Sequence, residues 1–333
     1  MLLSQTLALR EWGRTLMLEG PDLALGSVKD VINQRSPRKL ILGVTVSEER
    51  VEWIFSENDS GALSMNLESV SENGKKLNSK GQLRWLLPEK NSAKSLVVKS
   101  LRRLSWIGAE RSGPRELLPL KDLQGHSQVG VKGELAPGLL YRRDQHPVHP
   151  SLCIPNTPKY LLHQVRAWMQ SFFPGCDLVV SPVDGASAVS LRLKSNPSSD
   201  FQRPQNVGFG LTQLFPIIVA VLAAVDGDII LIENPEVHLH PRAQQNIGMM
   251  LARVAATGVQ IIVETHSDHV LNGIRLAAKV GDIKPKDVAI HFFGPVSSGA
   301  NTPMSPNLDA DGRLDQWPEG FFDQFDDALS KLM

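Results

Sequence analysis

The rhythm of apolar and polar positions changes along the chain, and each rhythm predicts a different element. Leu2, Leu3, Leu7 and Ala8 recur at helical spacing, so the chain begins within or at the start of a helix. From Gly26 to about Val98 the pattern becomes short strand-like runs, "KLILGVTV", "RVEWIFS" and "SLVVKSL", separated by polar stretches such as "SENDSG" and "SENGKKLNSKG". This reads as an antiparallel lobe. "LSWIGAERSGPRELLPL" then ends a strand in a Gly, Ser and Pro turn, "TPKYLLHQVRAWMQSFF" spaces its apolar residues as a helix, and "LVVSPVDGASAVSLRLK" reads as a hairpin.

The last third differs in kind. Ile229 to Ile232, Gln260 to Val263 and Val288 to Phe293 are continuous apolar runs of the type buried on both faces of a parallel sheet. Between them fall a helix with Ile247, Met250, Leu251 and Val254 on one face and a second helix from about Asp268 to Lys279. Strand, helix, strand, helix, strand predicts an α/β sheet with right-handed crossovers. The expected fold class is therefore α/β, with an antiparallel β-rich lobe first and a parallel-sheet core last. The expected divisions are 1–130 for the opening helix and β lobe, 131–200 for a helical and hairpin connection, and 201–333 for the core. "GPVSSGANTPMSPN" is expected to be a mobile loop.

Composition narrows the function classes. A chain of 333 residues is about twice the usual domain size, and its 35 basic residues balance 35 acidic ones, so net charge calls for no polyanionic partner. Two cysteines are too few for a disulfide framework or a zinc finger, which fits a reducing, cytoplasmic setting. The longest apolar run, "FPIIVAVLAAV", is about half of a membrane span of ~20 residues.

Ligands of such sheets bind at the carboxyl ends of the strands, and Glu233, Asn234 and Glu236 follow directly on the first run. A carboxylate there can hold magnesium, directly or through water, beside a phosphate chain; the plainer reading is a pair of solvated loop acids. One strand later, "IIVETHSDH" puts Glu264, Thr265, His266, Ser267, Asp268 and His269 at the equivalent tip. His266, beside Glu233, can reach a terminal phosphate. Ser267 or Asp268 is a candidate helix cap. Upstream, "NVGFGLTQLFPIIVAVLAAV" sets Gly208 and Gly210 before a helix whose amino end, near Thr212 and Gln213, is an anion site in waiting. Pro216 is expected in the first turn of that helix, where its missing N–H is harmless.

Together these stretches resemble the ATP-binding-cassette-type heads of RecF, SMC and OLD-like ATPases, and above all the AAA-family ATPases with a DUF3696 C-terminal region. "IILIENPEVHLHP" resembles their Walker B strand, "VETHSDH" their histidine switch and "NVGFGLTQ" the signature that meets a partner subunit's nucleotide, while "IGAERSGPR" and "WPEGFFDQF" match further landmarks. The resemblance implies an ABC-type head that uses ATP and Mg2+. Glu233 would be the metal-coordinating acid, although cassettes prefer Asp, and His266 the phosphate sensor. Asn206, Gly208, Gly210, Thr212 and Gln213 would form the signature. Asn234 stands where many cassettes carry the catalytic glutamate, leaving Glu236 to polarise the attacking water. Arg111 and Arg115 are candidates for phosphate or interface contacts. The implied partners are a second copy of the chain, a nuclease or other effector, and DNA, in phage defence or DNA metabolism.

The family's phosphate loop, G-x-x-x-x-G-K-[ST], does not occur in these 333 residues, and "SENGKKL" is the nearest string. In the family that loop precedes a helix much like "LLSQTLALREWG", so the resemblance implies a missing segment ahead of Met1. Two other classes remain open. One is a degenerate head serving as an interaction module. The other is a metal-dependent hydrolase built on "THSDH" with His238 and His240, which the incomplete ligand spacing disfavours.

Overall fold

The computed structural model describes residues 1–32, 38–57, 61–121, 128–293, 303–318, 320–322 and 329–332. It forms two compact units, Met1–Trp106 with Gly227–Ile229, and Ile107–Asp226 with Ile230–Met333.

The first unit opens on helix α1 (Leu2–Leu9), with Leu3 and Leu7 buried at the expected spacing. Then come β1 (Thr15–Met17), α2 (Val28–Val31), β2 (Lys39–Val46), β3 (Glu49–Ser56), β4 (Ser64–Glu72) and β5 (Lys75–Lys76). They make the antiparallel sheet β1-β4-β3-β2, with β5 on β4. Val51, Trp53 and Phe55 alternate along β3 into a core shared with Leu16, Leu18 and Met65. Asn73 and Gly74 take φ of 49° and 78° between β4 and β5, the left-handed pair that a two-residue hairpin turn requires. "SENGKKL" is thus a hairpin and no phosphate loop.

A second small hairpin, β6 (Leu83–Arg84) and β7 (Leu87–Pro88), leads to α3 (Glu89–Ser92), α4 (Leu96–Arg102) and β8 (Leu104–Ile107). "SLVVKSL", expected as a strand, is α4. Ser95 caps it by accepting the Val98 N–H at 3.1 Å, and Val97, Val98 and Leu101 share the buried face. The cap and the i, i+1, i+4 burial outweigh the β-preference of two valines.

The second unit contains β9 (Leu117–Pro119), α5 (Ala136–Arg142), α6 (Leu161–Phe172), β10 (Asp177–Pro182) and β11 (Ala188–Lys194), with the antiparallel order β10-β11-β9. The expected helix and hairpin are both present. Next are α7 (Phe209–Ala223), β12 (Ile229–Glu233), α8 (Pro241–Ala255), β13 (Gln260–Glu264) and α9 (Asp268–Lys279). Strand order is β13-β12-β8, and α8 crosses between the parallel neighbours β12 and β13. The fold class is α/β.

Three expectations need correction. Pro216 lies inside α7, about two turns beyond its start, because the helix begins at Phe209; with 210–222 buried, packing outweighs the lost bond to the Thr212 carbonyl. β13 is an edge strand among the described residues, and Ile262 on one of its faces is 47% exposed where burial on both faces was expected. Residues 288–293 form no strand and contribute an isolated bridge, Phe292 with Met304. Of the expected mobile loop, 294–302 lie outside the described residues, as do 319 and 323–328 near the terminal landmark.

Candidate functional site

Glu233 ends β12, following the fully buried Ile230 and Ile232 on alternate positions. Its Oε2 accepts the Ala109 N–H at 3.0 Å from the turn after β8. Asn234 then adopts φ 42°, a left-handed conformation that Asn tolerates, and its N–H donates to the Glu264 carbonyl at 2.9 Å. The tips of adjacent strands are thereby tied together.

Glu236 ties them again. Its Oε1 accepts the His266 N–H at 2.9 Å and the Asn234 Nδ2 at 3.3 Å, and its Oε2 accepts the Thr265 hydroxyl at 2.8 Å. Behind this knot, Gln244 of α8 donates to the Leu239 carbonyl and accepts the Ser267 hydroxyl at 2.6 Å. Ser267 also caps α9 by accepting the Val270 N–H. His266 is therefore fixed through its backbone while its ring stands in solvent, 80% exposed, with Nε2 3.7 Å from Glu264 Oε1.

Arg111, expected at a phosphate or an interface, is turned inward and is only 7% exposed. Its Nε donates to Gln213 Oε1 at 3.0 Å, one terminal nitrogen to the carbonyls of Glu233 at 2.9 Å and Gly108 at 3.3 Å, and the other to the Asn234 carbonyl at 2.7 Å. Burial pulls its pKa down to about 10, against the opposing charges of Glu236 and Glu233, so it stays a cation at neutral pH. Arg115 is exposed.

The head of α7 completes the site. Asn206, in a 3-10 turn, and Gly208, the N-cap, are exposed. Gly210 is buried, and a Cβ there would stand 2.8 Å from the His238 carbonyl, so glycine lets α7 lie against the loop after β12. Phe209 meets the His238 ring edge-on at 4.7 Å between centroids. The Thr212 hydroxyl donates to the Phe209 carbonyl, and Gln213 is buried on Arg111.

Glu233, Asn234, Glu236 and His266 are thus gathered at one pair of strand tips, joined to Gln213 through Arg111 and to Gly210 through the His238 loop. The clamps by Arg111, Thr265, Gln244 and the Ala109 amide escape sequence reasoning. A turn arginine reads as surface, and only its place in "IGAERSGPR" hints otherwise. Among the described residues no group of three His, Cys, Asp or Glu side chains is placed to hold a metal by itself. A single half-buried carboxylate at a strand end fits magnesium that brings water and phosphate oxygens as its other ligands. No described helix is long and apolar enough to cross a membrane.

Residues 43–272 match the family described as "AAA domain, putative AbiEii toxin, Type IV TA system", and residues 283–332 match "Protein of unknown function (DUF3696)". No curated protein matches the chain. One similar solved structure is described as "Structural biochemistry of ATP-driven dimerization and DNA stimulated activation of SMC ATPases". It is 12% identical, covers 52% of this chain and 90% of its own, and has a TM-score of 0.33. Another, "Crystal structure of the SmcHead bound to the C-winged helix domain of ScpA", is 12% identical over 68% of this chain and 69% of its own, with a TM-score of 0.37.

Proposed function

Since the chain belongs to that AAA-domain family, matched over 43–272, we propose that it is an ABC-type ATPase head whose β12 and β13 tips form the metal-and-sensor half of a nucleotide site. The observation that supports this reading is that Glu233 and the loop carrying His266 stand at adjacent parallel strand tips, tied through Asn234–Glu264 and Glu236–His266 bonds, at the kind of crevice where α/β sheets take ligands. Glu233, braced by the Ala109 amide, would hold Mg2+ beside the phosphates of ATP. His266, with an exposed ring and a fixed backbone, would donate a hydrogen bond to the terminal phosphate. Bound magnesium would neutralise phosphate charge and orient the phosphate chain.

Asn206 and Gly208, exposed at the head of α7, would face the nucleotide of a second copy, with Gly210, Thr212 and Gln213 shaping that helix start from within. Asn234 cannot accept a proton as an amide, so hydrolysis would fall to Glu236. Glu236 already accepts three hydrogen bonds, which favours orientation of water over proton abstraction and a nucleotide-dependent clamp over a fast hydrolase. A clamp of this kind would control an effector such as a nuclease; the family description speaks of a putative toxin, and a role in phage defence or DNA metabolism fits either partner.

Sedimentation of a version with a G-x-x-x-x-G-K-[ST] loop grafted ahead of α1 tests the clamp. The expected outcome is a dimer with MgATP that is lost in Glu233→Gln and His266→Ala. A mass indifferent to nucleotide would remove the reading.

A further inference from the structure

The Arg111 guanidinium gathers acceptors from three separate segments: Gly108 in the turn after β8, Gln213 in α7, and Glu233 with Asn234 at the tip of β12. The same turn grips Glu233 twice, because Arg111 holds its carbonyl while the Ala109 N–H holds its carboxylate. At the other end, Gln213 belongs to a fifteen-residue helix whose positions 210–222 are all buried, so it moves with α7 as a body. We infer that Arg111 is a positioning residue that couples the head of α7 to Glu233, so that displacement of α7 displaces the carboxylate.

The geometry asks for arginine in particular. Its planar fork reaches divergent acceptors at fixed angles, whereas a lysine ammonium keeps the charge but supplies one nitrogen. Burial deepens the dependence, since a cation so enclosed must keep its acceptors. The meaning of the coupling rests on the nucleotide reading: α7 would sense one nucleotide through Gly208 while Glu233 serves another, so Arg111 would let the two sites of a clamp report to each other. The contact network itself does not depend on that reading.

Hydrogen exchange on the 333-residue chain, without nucleotide, is the test. Arg111→Lys should speed exchange at both 209–214 and 230–236 by about tenfold, the equivalent of one lost hydrogen bond to a charged group. Gln213→Met, which keeps the volume and removes the acceptor, should speed 230–236 as well as α7. In both variants α6 and the β10–β11 hairpin should exchange as before, which establishes an intact fold. If Gln213→Met loosens α7 and leaves 230–236 unchanged, or if Arg111→Lys changes neither segment, the coupling is refuted. A separate arm adds MgATP to the unaltered chain at about tenfold over the roughly 1 mM dissociation constant expected of it: absence of protection at 230–236, with both variants behaving as expected, would count against the nucleotide reading and leave the coupling intact.

Discussion

Glu236 shows what a single residue contributes here. One oxygen accepts two N–H donors and the other a hydroxyl, so both strand tips hang on one side chain. Glu236→Ala should cost about 1–2 kcal/mol in urea unfolding, because it removes the acceptor of the part-buried Thr265 hydroxyl and Asn234 amide, while the exposed His266 N–H can turn to water. Glu236→Gln should cost less than about 1 kcal/mol, since its carbonyl can face the two N–H donors while the Thr265 hydroxyl turns to accept. Equal losses for the two variants would show that Glu236 acts through its charge and not as a brace. The sequence made the acids and histidines at strand ends legible because ligand position in α/β sheets follows from topology. It offered Arg111 as a candidate for phosphate or interface contacts but could not reveal the inward clamp, since the direction of a turn side chain depends on what packs over it.

Among the elements, α8 and α9 pack through reciprocal glycines. A Cβ on Gly248 would stand 2.2 Å from the Val270 carbonyl oxygen, and one on Gly273 would stand 2.1 Å from that of Gln245. Both obstacles are backbone, so neither helix can yield by a side-chain rotation. Gly248→Ala should therefore cost about 3 kcal/mol or more in chemical denaturation. It should also disturb His266, which immediately precedes the Ser267 cap of α9. A cost below about 1 kcal/mol would mean that the helices separate without penalty.

The link between α6 and β10 carries a pH dependence. Arg166 donates to both oxygens of Asp177, at 2.6 and 2.5 Å. Burial pushes the Asp177 carboxyl up, but the bonds from Arg166 and the Leu178 N–H, with the charges of Arg166 and Lys194, outweigh it and hold the pKa below the usual value. The folded value lies below the unfolded one of roughly 4, so the stabilisation is full above that pH and is lost as pH falls through the folded value. Melting curves should show an acid-side decline that Asp177→Asn flattens; an unchanged slope would exclude the pair as its source. Periodicity made these helices legible, whereas α4 and 288–293 were misread because short apolar runs carry no length signal and their fate turns on a cap or a neighbouring strand.

For the whole molecule, the decisive quantity is how well these 333 residues hold ATP. Fold class was legible because the change from short strand-like runs to continuous apolar runs marks two kinds of sheet. A phosphate cradle, by contrast, is a specific string of amides, lysine and hydroxyl, and its nearest counterpart here has folded into the β4–β5 hairpin. Each charge-assisted bond of such a cradle contributes roughly 1.5–3 kcal/mol, so the lack of two or three weakens binding by a factor of hundreds or more. Zero net charge offers no long-range attraction in compensation, and Glu233 repels phosphate until magnesium intervenes. Calorimetric titration should accordingly give a dissociation constant on the order of 1 mM for MgATP, and phosphate release should stay at background. Micromolar binding with steady release would mean that another segment of the chain supplies the cradle; the start of α7, where Gly208 provides no side-chain cap, would then be the first place to look for it.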